Sequence, residues 1–237
     1  MNVQRITAIL AMTGLLFACA GIKPIYLATD LRFPQNAAVL PLGNQTNDMK
    51  APEMIRPLIE QALRQKGYAI FTQAETDERL RKLLGVTDGG QLRVLFEGLN
   101  AQNPSAAMDE GSRGSISMKK LSDALPVDTV FYGEVVDFGI TNLGFYREKR
   151  VHLAFKMVDL KTGNLLWIDQ AKIKERNVAT SVDEAKSSFK KGLLEKAAYS
   201  TGVNEKTKGL SAAWLRNPLK ELSEKAVRRV MATLPRT

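Results

Sequence analysis

Residues 128–173 constrain the fold more than any other stretch, because they read as three consecutive β-strands. The first, Thr129 to Ile140, is rich in Val, Phe and Tyr; the second runs from Val151 to Val158 and the third from Leu165 to Ile173. In the second strand Val151, Leu153, Phe155 and Met157 fall on one face at period two, with His152, Ala154 and Lys156 on the other. Asp159-Leu160-Lys161-Thr162-Gly163-Asn164 joins the last two strands as a tight turn, with Gly163 where a positive φ is needed. Trp167 is expected in the core, on one strand face with Leu165 and Ala171. A meander of this length buries a face only if helices cover it.

The flanks supply those helices. Ala37 to Leu42 is a short apolar run that fits a buried first strand with Pro41 at its end. A helix follows from about Pro52 to Lys66, its stripe being Met54, Leu58, Ile59, Ala62 and Leu63, with Gly67 at the cap. Pro57 inside it is expected to bend the helix or delay its start. Tyr68 to Phe71 makes a second strand, so this part reads as a βαβ unit with parallel strands. Glu75 to Leu84 and Met118 to Leu125 read as further helices, the first closed by Gly85 and the second by Pro126. Val86 to Gly90 is a turn, since its glycines match neither phosphate-binding pattern and follow a helix. Residues 92–117 form an insertion rich in Gly, Ser, Asn and Asp toward its end. In the turn before the second meander strand, Leu143, Phe145 and Tyr146 read as a satellite hydrophobic cluster, an interaction tip being the alternative.

The amino terminus is set apart. Arg5 precedes an apolar run from Ile6 to Phe17, of signal-peptide length and short for a membrane span. It ends Leu16-Phe17-Ala18-Cys19, and Cys19 is the single cysteine of the chain. This stretch resembles the bacterial lipobox: Leu16 stands at −3, Phe17 at −2 and a small residue, Ala18, at −1 to the cysteine that takes the lipid. An ordinary secretory signal with a chance cysteine is the alternative. Acyl chains on Cys19 would anchor firmly, because each buried CH₂ contributes about 0.8 kcal/mol. By resemblance to sorting in well-studied envelopes, Ala20 after the cysteine implies the outer membrane.

Charge and chemistry narrow the function classes. The formal net charge is +9, which fits an anionic membrane surface, an anionic polymer such as peptidoglycan, nucleic acid, or solubility alone. Residues 172–237 hold fifteen Lys and Arg against seven Asp and Glu, with few aromatics, which argues against nucleic acid. Val182 to Ala198 reads as a helix with Val182, Ala185, Phe189, Leu193 and Ala197 in a stripe. A final helix is capped by Asn217, with Pro218 at its first position. Leu219, Leu222, Ala226, Val230 and Met231 face the core, and Glu221/Lys225 and Glu224/Arg228 are spaced to pair. With both apolar stripes packed, Lys220, Arg228 and Arg229 lie on solvated faces, as do Lys186 and Lys190, and become candidate contacts for an anionic lipid or peptidoglycan. One cysteine and one histidine leave no basis for a disulfide framework or a Cys/His zinc site, and no cofactor is expected. Glu134 and Asp137, an odd number apart, should point to opposite faces and form no catalytic pair. His152, on the polar face, has no nucleophile pattern nearby, so no catalytic residue is assigned.

The order of these features is itself informative. The lipobox is followed by Ala38-Val39-Leu40-Pro41-Leu42, by Pro57-Leu58 through Gly67-Tyr68-Ala69-Ile70-Phe71, by Asp128-Thr129-Val130-Phe131-Tyr132-Gly133, and by the hairpin from Val158 to Trp167. This order resembles a family of bacterial lipoproteins without assigned activity, known as surface-antigen candidates. More distantly it is similar to the amino-terminal domain of TolB, to the curli-secretion lipoprotein and to lipoproteins that activate penicillin-binding proteins. The resemblance covers about residues 16–173; the insertion and the basic tail depart from it. It implies a mixed α/β domain used for binding and assembly in the envelope, not an enzyme.

The expected organisation is a signal peptide over 1–18, a tether over 19–36, an α/β domain over 37–175, and a basic helical segment over 176–237 packing on the sheet. The fold class is α/β: a mixed sheet with a parallel βαβ amino-terminal part and an antiparallel three-strand meander, plus carboxy-terminal helices. The expected function is a lipid-anchored protein at the periplasmic face of the outer membrane, joining envelope proteins for export, wall synthesis or division. The rivals are a periplasmic enzyme on cell-wall material and an accessory ligand-binding component of a transport system.

Overall fold

The computed structural model describes residues 22–29, 31, 34, 36–87, 92, 118–201 and 218–236, with 194–201 as backbone only. Seven described strands form one mixed sheet: β1 (Tyr26–Leu27), β2 (Asn36–Val39), β3 (Gly43–Asn44), β4 (Ala69–Ile70), β5 (Thr129–Asn142), β6 (Tyr146–Asp159) and β7 (Leu165–Val178). Their order is β1-β7-β6-β5-β2-β4, with β3 also beside β5. Five helices are described: α1 (Ala51–Gln65), α2 (Gln73–Leu84), α3 (Met118–Ala124), α4 (Val182–Thr201) and α5 (Lys220–Ala232). The expected fold class is what the chain adopts. β2, α1 and β4 make the parallel βαβ unit, with Asn36 opposite Ala69 and Ala37 opposite Ile70. β5, β6 and β7 make the antiparallel meander.

The meander is longer than its hydrophobic pattern, each strand running 14 residues. Asp159 Oδ1 accepts from the backbone N–H groups of Lys161 and Thr162 at 2.9 and 2.7 Å, and Gly163 sits at φ 73°. Gly133 lies opposite Phe155, and a Cβ there would stand 1.9 Å from the Phe155 ring. The glycine is therefore the floor on which that ring packs.

Two bulges shift the face of everything beyond them. In β5 the register slips between Val135 and Asp137, leaving Val136 unpaired. Asp137 then lies opposite His152 and Glu134 opposite Ala154, so both carboxylates share the polar face, contrary to the simple alternation. In β7 the slip falls between the partners of Met157 and Val158, so Leu166 is extra. Trp167 is buried with Ala171 in one core, while Leu165 turns to the opposite face. Period-two counting fails at both points for one reason: an added residue reverses the phase.

Each face of the sheet has its own core. On one, α1 and α5 cover Val39, Phe131, Val135, Phe138, Leu153, Met157 and Trp167. On the other, Leu80 of α2 and Leu121 of α3 close over Ala38, Leu40, Val130, Val158 and Leu160. α1 runs through Pro57 without a break. The proline costs one backbone bond, and burial of Ile55, Ile59 and Leu63 offsets it. α2 starts two residues before the expected point because Thr72 caps it: Thr72 Oγ1 accepts from Glu75 N at 3.3 Å and Glu75 Oε2 accepts from Thr72 N at 2.9 Å. Buried Arg56 ties the layers together, donating to Val39 O at 2.7 Å and to Asp77 Oδ2 at 2.9 Å.

The carboxy-terminal part divides. α5 packs its Leu222, Ala226, Val230 and Met231 as expected, although it begins at Lys220 with Leu219 as cap; Asn217 lies outside the described residues. Lys225 reaches Glu175 of β7 instead of pairing along its own helix. α4 departs from expectation. Of its apolar stripe Ala185 is buried, but Val182, Phe189 and Leu193 are exposed. Part of the stretch expected as a tether also joins the sheet, since β1 pairs Tyr26 with Ile168 and Leu27 with Trp167.

Candidate interaction groove

The exposed residues of α4 line one wall of a groove of about 900 Å³, within the size range of binding clefts. Phe189, Gly192 and Leu193 come from α4, residues 45–50 from the loop after β3, Val136 to Ile140 and Asn142 from β5, and Pro218 with Leu219 from the approach to α5.

Each wall has a local cause. The loop is held by its own side chains: Asn44 Oδ1 accepts from Thr46 Oγ1 at 2.7 Å, Thr46 Oγ1 accepts from Asp48 N at 3.1 Å, and Asp48 Oδ1 accepts from Lys50 N at 3.0 Å. Such side chain-to-backbone bonds favour a fixed turn over a helix or strand. α4 crosses β5 closely at Gly192, where a Cβ would stand 2.0 Å from Asn142 Nδ2. Asn142 Oδ1 is buried there with no hydrogen-bond partner among the described residues. Phe189 is 47% exposed and Leu193 53% exposed, so the helix turns apolar area into the groove without sealing it.

The charges on the β5 side of the rim are matched to one another. Arg150 donates to Asp137 Oδ2 at 3.0 Å, to Thr141 Oγ1 at 2.7 Å and to Glu148 Oε1 at 3.3 Å. Glu148 also accepts from Tyr146 Oη and from Arg176 Nε, both at 2.6 Å, and these partners hold its carboxyl down at about 2. His152 is hydrogen-bonded to Gln170 at 3.1 Å. No group of His, Cys, Asp and Glu among the described residues could hold a metal ion.

The residues expected to matter lie in several places. Lys220, Arg228 and Arg229 are exposed on α5, as are Lys186 and Lys190 on α4. Lys220 adjoins the groove through Leu219; Arg228 is about 12 Å further along the helix axis. Leu16, Phe17, Ala18 and Cys19 lie outside the described residues, and so do the turn at 88–90 and the insertion apart from Leu92. At the turn after β5, Leu143 is 72% and Phe145 53% exposed, so these two project as a tip, while Tyr146 bonds to Glu148. The sequence missed Phe189 and Leu193 because their stripe looks like a core stripe. It missed the β5 wall because nothing in the sequence marks the Val136 bulge.

The family described as "Putative lipoprotein GNA1162-like" matches residues 100–213 of this chain. The match bears out the resemblance to a lipoprotein family and extends into the insertion and the basic tail, which were expected to depart from it. No curated protein matches. Among solved structures, the chain is similar to lipoprotein GNA1162 from Neisseria meningitidis, with 21% identity, TM-score 0.46, and 73% of this chain and 100% of that one covered. It is also similar to the PelC dodecamer subunit from Paraburkholderia phytofirmans, with 12% identity, TM-score 0.43, and 90% and 95% covered. A third is the LpoB carboxy-terminal domain from Escherichia coli, with 12% identity, TM-score 0.38, and 69% and 93% covered.

Proposed function

We propose that this chain is a lipid-anchored protein of the periplasmic face of the outer membrane, held by Cys19, whose α/β domain joins other envelope proteins into a complex for export, wall synthesis or division. One observation carries the assembly role: α4 leaves Phe189 and Leu193 open in a groove instead of burying them. Apolar side chains at a well-formed cleft are what a protein partner covers. The lipoprotein family match and the lipobox from Leu16 to Cys19 support the anchor.

The test has two arms. Cys19→Ser should abolish uptake of labelled palmitate and release the protein from membranes; continued labelling would remove the anchor from the reading. A photo-crosslinking residue at Leu193 in the lipidated protein should give one discrete protein adduct in intact envelopes. The same probe at Lys82, on the far side of the domain, should give none. A diffuse smear at both positions would remove the assembly role.

A further inference from the structure

We infer that the groove receives its occupant as an added β-strand along the free edge of β5, and that the occupant is an extended, uncharged segment of a partner protein with alternating apolar side chains. This deepens the proposed assembly role and rests on it.

The backbone shows where the edge is open. Phe131 O accepts from Leu40 N at 3.0 Å and Val135 O accepts from Gln45 N at 2.9 Å, so the odd positions of β5 face outward up to the bulge. The β3 pairing stops there, with Gly43 opposite Glu134 and Asn44 opposite Val135. Beyond Val136 the phase reverses. Leu143 N donates across the hairpin to Tyr146 O at 2.8 Å, so odd positions now face β6. The outward groups then belong to Phe138, Ile140 and Asn142, and no described strand pairs with them. Backbone groups in such a row need partners, and a strand supplies all of them at once.

Two open edges among the described strands, those of β7 and β5, differ in how they are guarded. Past its pairing with β1, the outer edge of β7 carries exposed Lys172, Lys174 and Arg176, the kind of charge that keeps an edge from pairing. The β5 edge carries Phe138, Gly139 and Ile140, and its one charge, Asp137, is matched by Arg150. That edge is flanked by the apolar side chains of Phe189, Leu193 and Leu219. An edge whose one charge is already matched, flanked on the α4 side by apolar side chains, favours an uncharged strand over a charged one.

The test uses the complete chain, made unlipidated by Cys19→Ser, and a capped peptide of alternating valine and threonine long enough to span the edge. Amide hydrogen exchange is followed residue by residue with and without peptide. The peptide should slow exchange at Phe138, Ile140 and Asn142 by about tenfold or more, and leave Asp137, Gly139 and Thr141, already bonded to β6, unchanged. Leu193→Asp, at an exposed position, should remove the effect while the melting curve stays put. Binding without the alternating pattern would overturn strand addition yet leave the crosslink at Leu193, and hence the assembly role, intact. Slow exchange at all three amides before peptide is added would overturn it too, because the edge would then be filled from within the chain. No effect of the peptide would overturn it as well.

Discussion

The indole Nε1 of Trp167 donates a 3.1 Å hydrogen bond to Thr233 Oγ1, and the same hydroxyl donates at 2.7 Å to Asp169 Oδ2. Strand β7 is thereby joined to the end of α5 by a polar link beside the core. Trp167 is fully buried and Asp169 nearly so, so neither group has water as a substitute.

Trp167→Ala should cost about 3–5 kcal/mol through the cavity it leaves. Thr233→Val keeps the shape but strands the indole N–H and Asp169 Oδ2, while Asp169 Oδ1 keeps the Gln170 N–H, and should cost about 1–3 kcal/mol. The two should be non-additive, since the second loses much of its meaning without the indole. Denaturant melts of both single variants and the double variant check this.

How much of this was legible follows from which residues decide it. The Asp159–Gly163 turn, the βαβ unit and the α5 stripe were readable because local chemistry and tertiary packing agree there. The bulges at Val136 and Leu166 were not, because a bulge is chosen by sheet twist and by what lies across the strand, not by the residue inserted. Each bulge changed a face assignment: Glu134 with Asp137, and Leu165 with Trp167. α4 failed for another reason. A stripe shows that one side of a helix is apolar, but not whether anything packs against it.

The contrast between α4 and α5 gives a second prediction. Phe189→Ser with Leu193→Ser should leave stability within about 0.5 kcal/mol, as exposed substitutions do. Leu222→Ala, in an equally apolar stripe that is buried, should cost about 2–5 kcal/mol. Equal costs at the two helices in thermal or denaturant melts would return α4 to the core.

Glu148 sets a pH dependence. Hydrogen bonds from Tyr146 and then from Arg176 and Arg150 lower its carboxyl from 4.5 to about 2. A carboxylate depressed by folding contributes stability that is complete above its unfolded value and is lost as pH falls through the folded one. Glu148→Gln should therefore melt earlier than the parent at neutral pH, and the gap should close between about pH 4.5 and pH 2. A gap that persists unchanged down to pH 2 would show that the network stabilises by geometry and not by charge.

The exposed basic residues of α5 bear on the proposed anchoring at Cys19. Lys220, Arg228 and Arg229 are exposed while the opposite side of the helix is buried, so the charges are presented to solvent by the packing itself. Glu221 and Glu224 lie on the same helix and weaken the field, so attraction to an anionic surface rests on a few cations. Each contributes about 1 kcal/mol at most, and only within a Debye length of about 8 Å at physiological salt. That would be enough to orient a domain held by the proposed anchor, and too little to bind it from solution at high salt. The unlipidated chain should co-sediment with anionic vesicles or with purified wall sacculi at low salt and release steeply as salt rises. Reversing Lys220, Arg228 and Arg229 to Glu should abolish the binding without moving the melting curve. Binding that ignores either the salt or the reversal would reduce these three residues to a solubility feature.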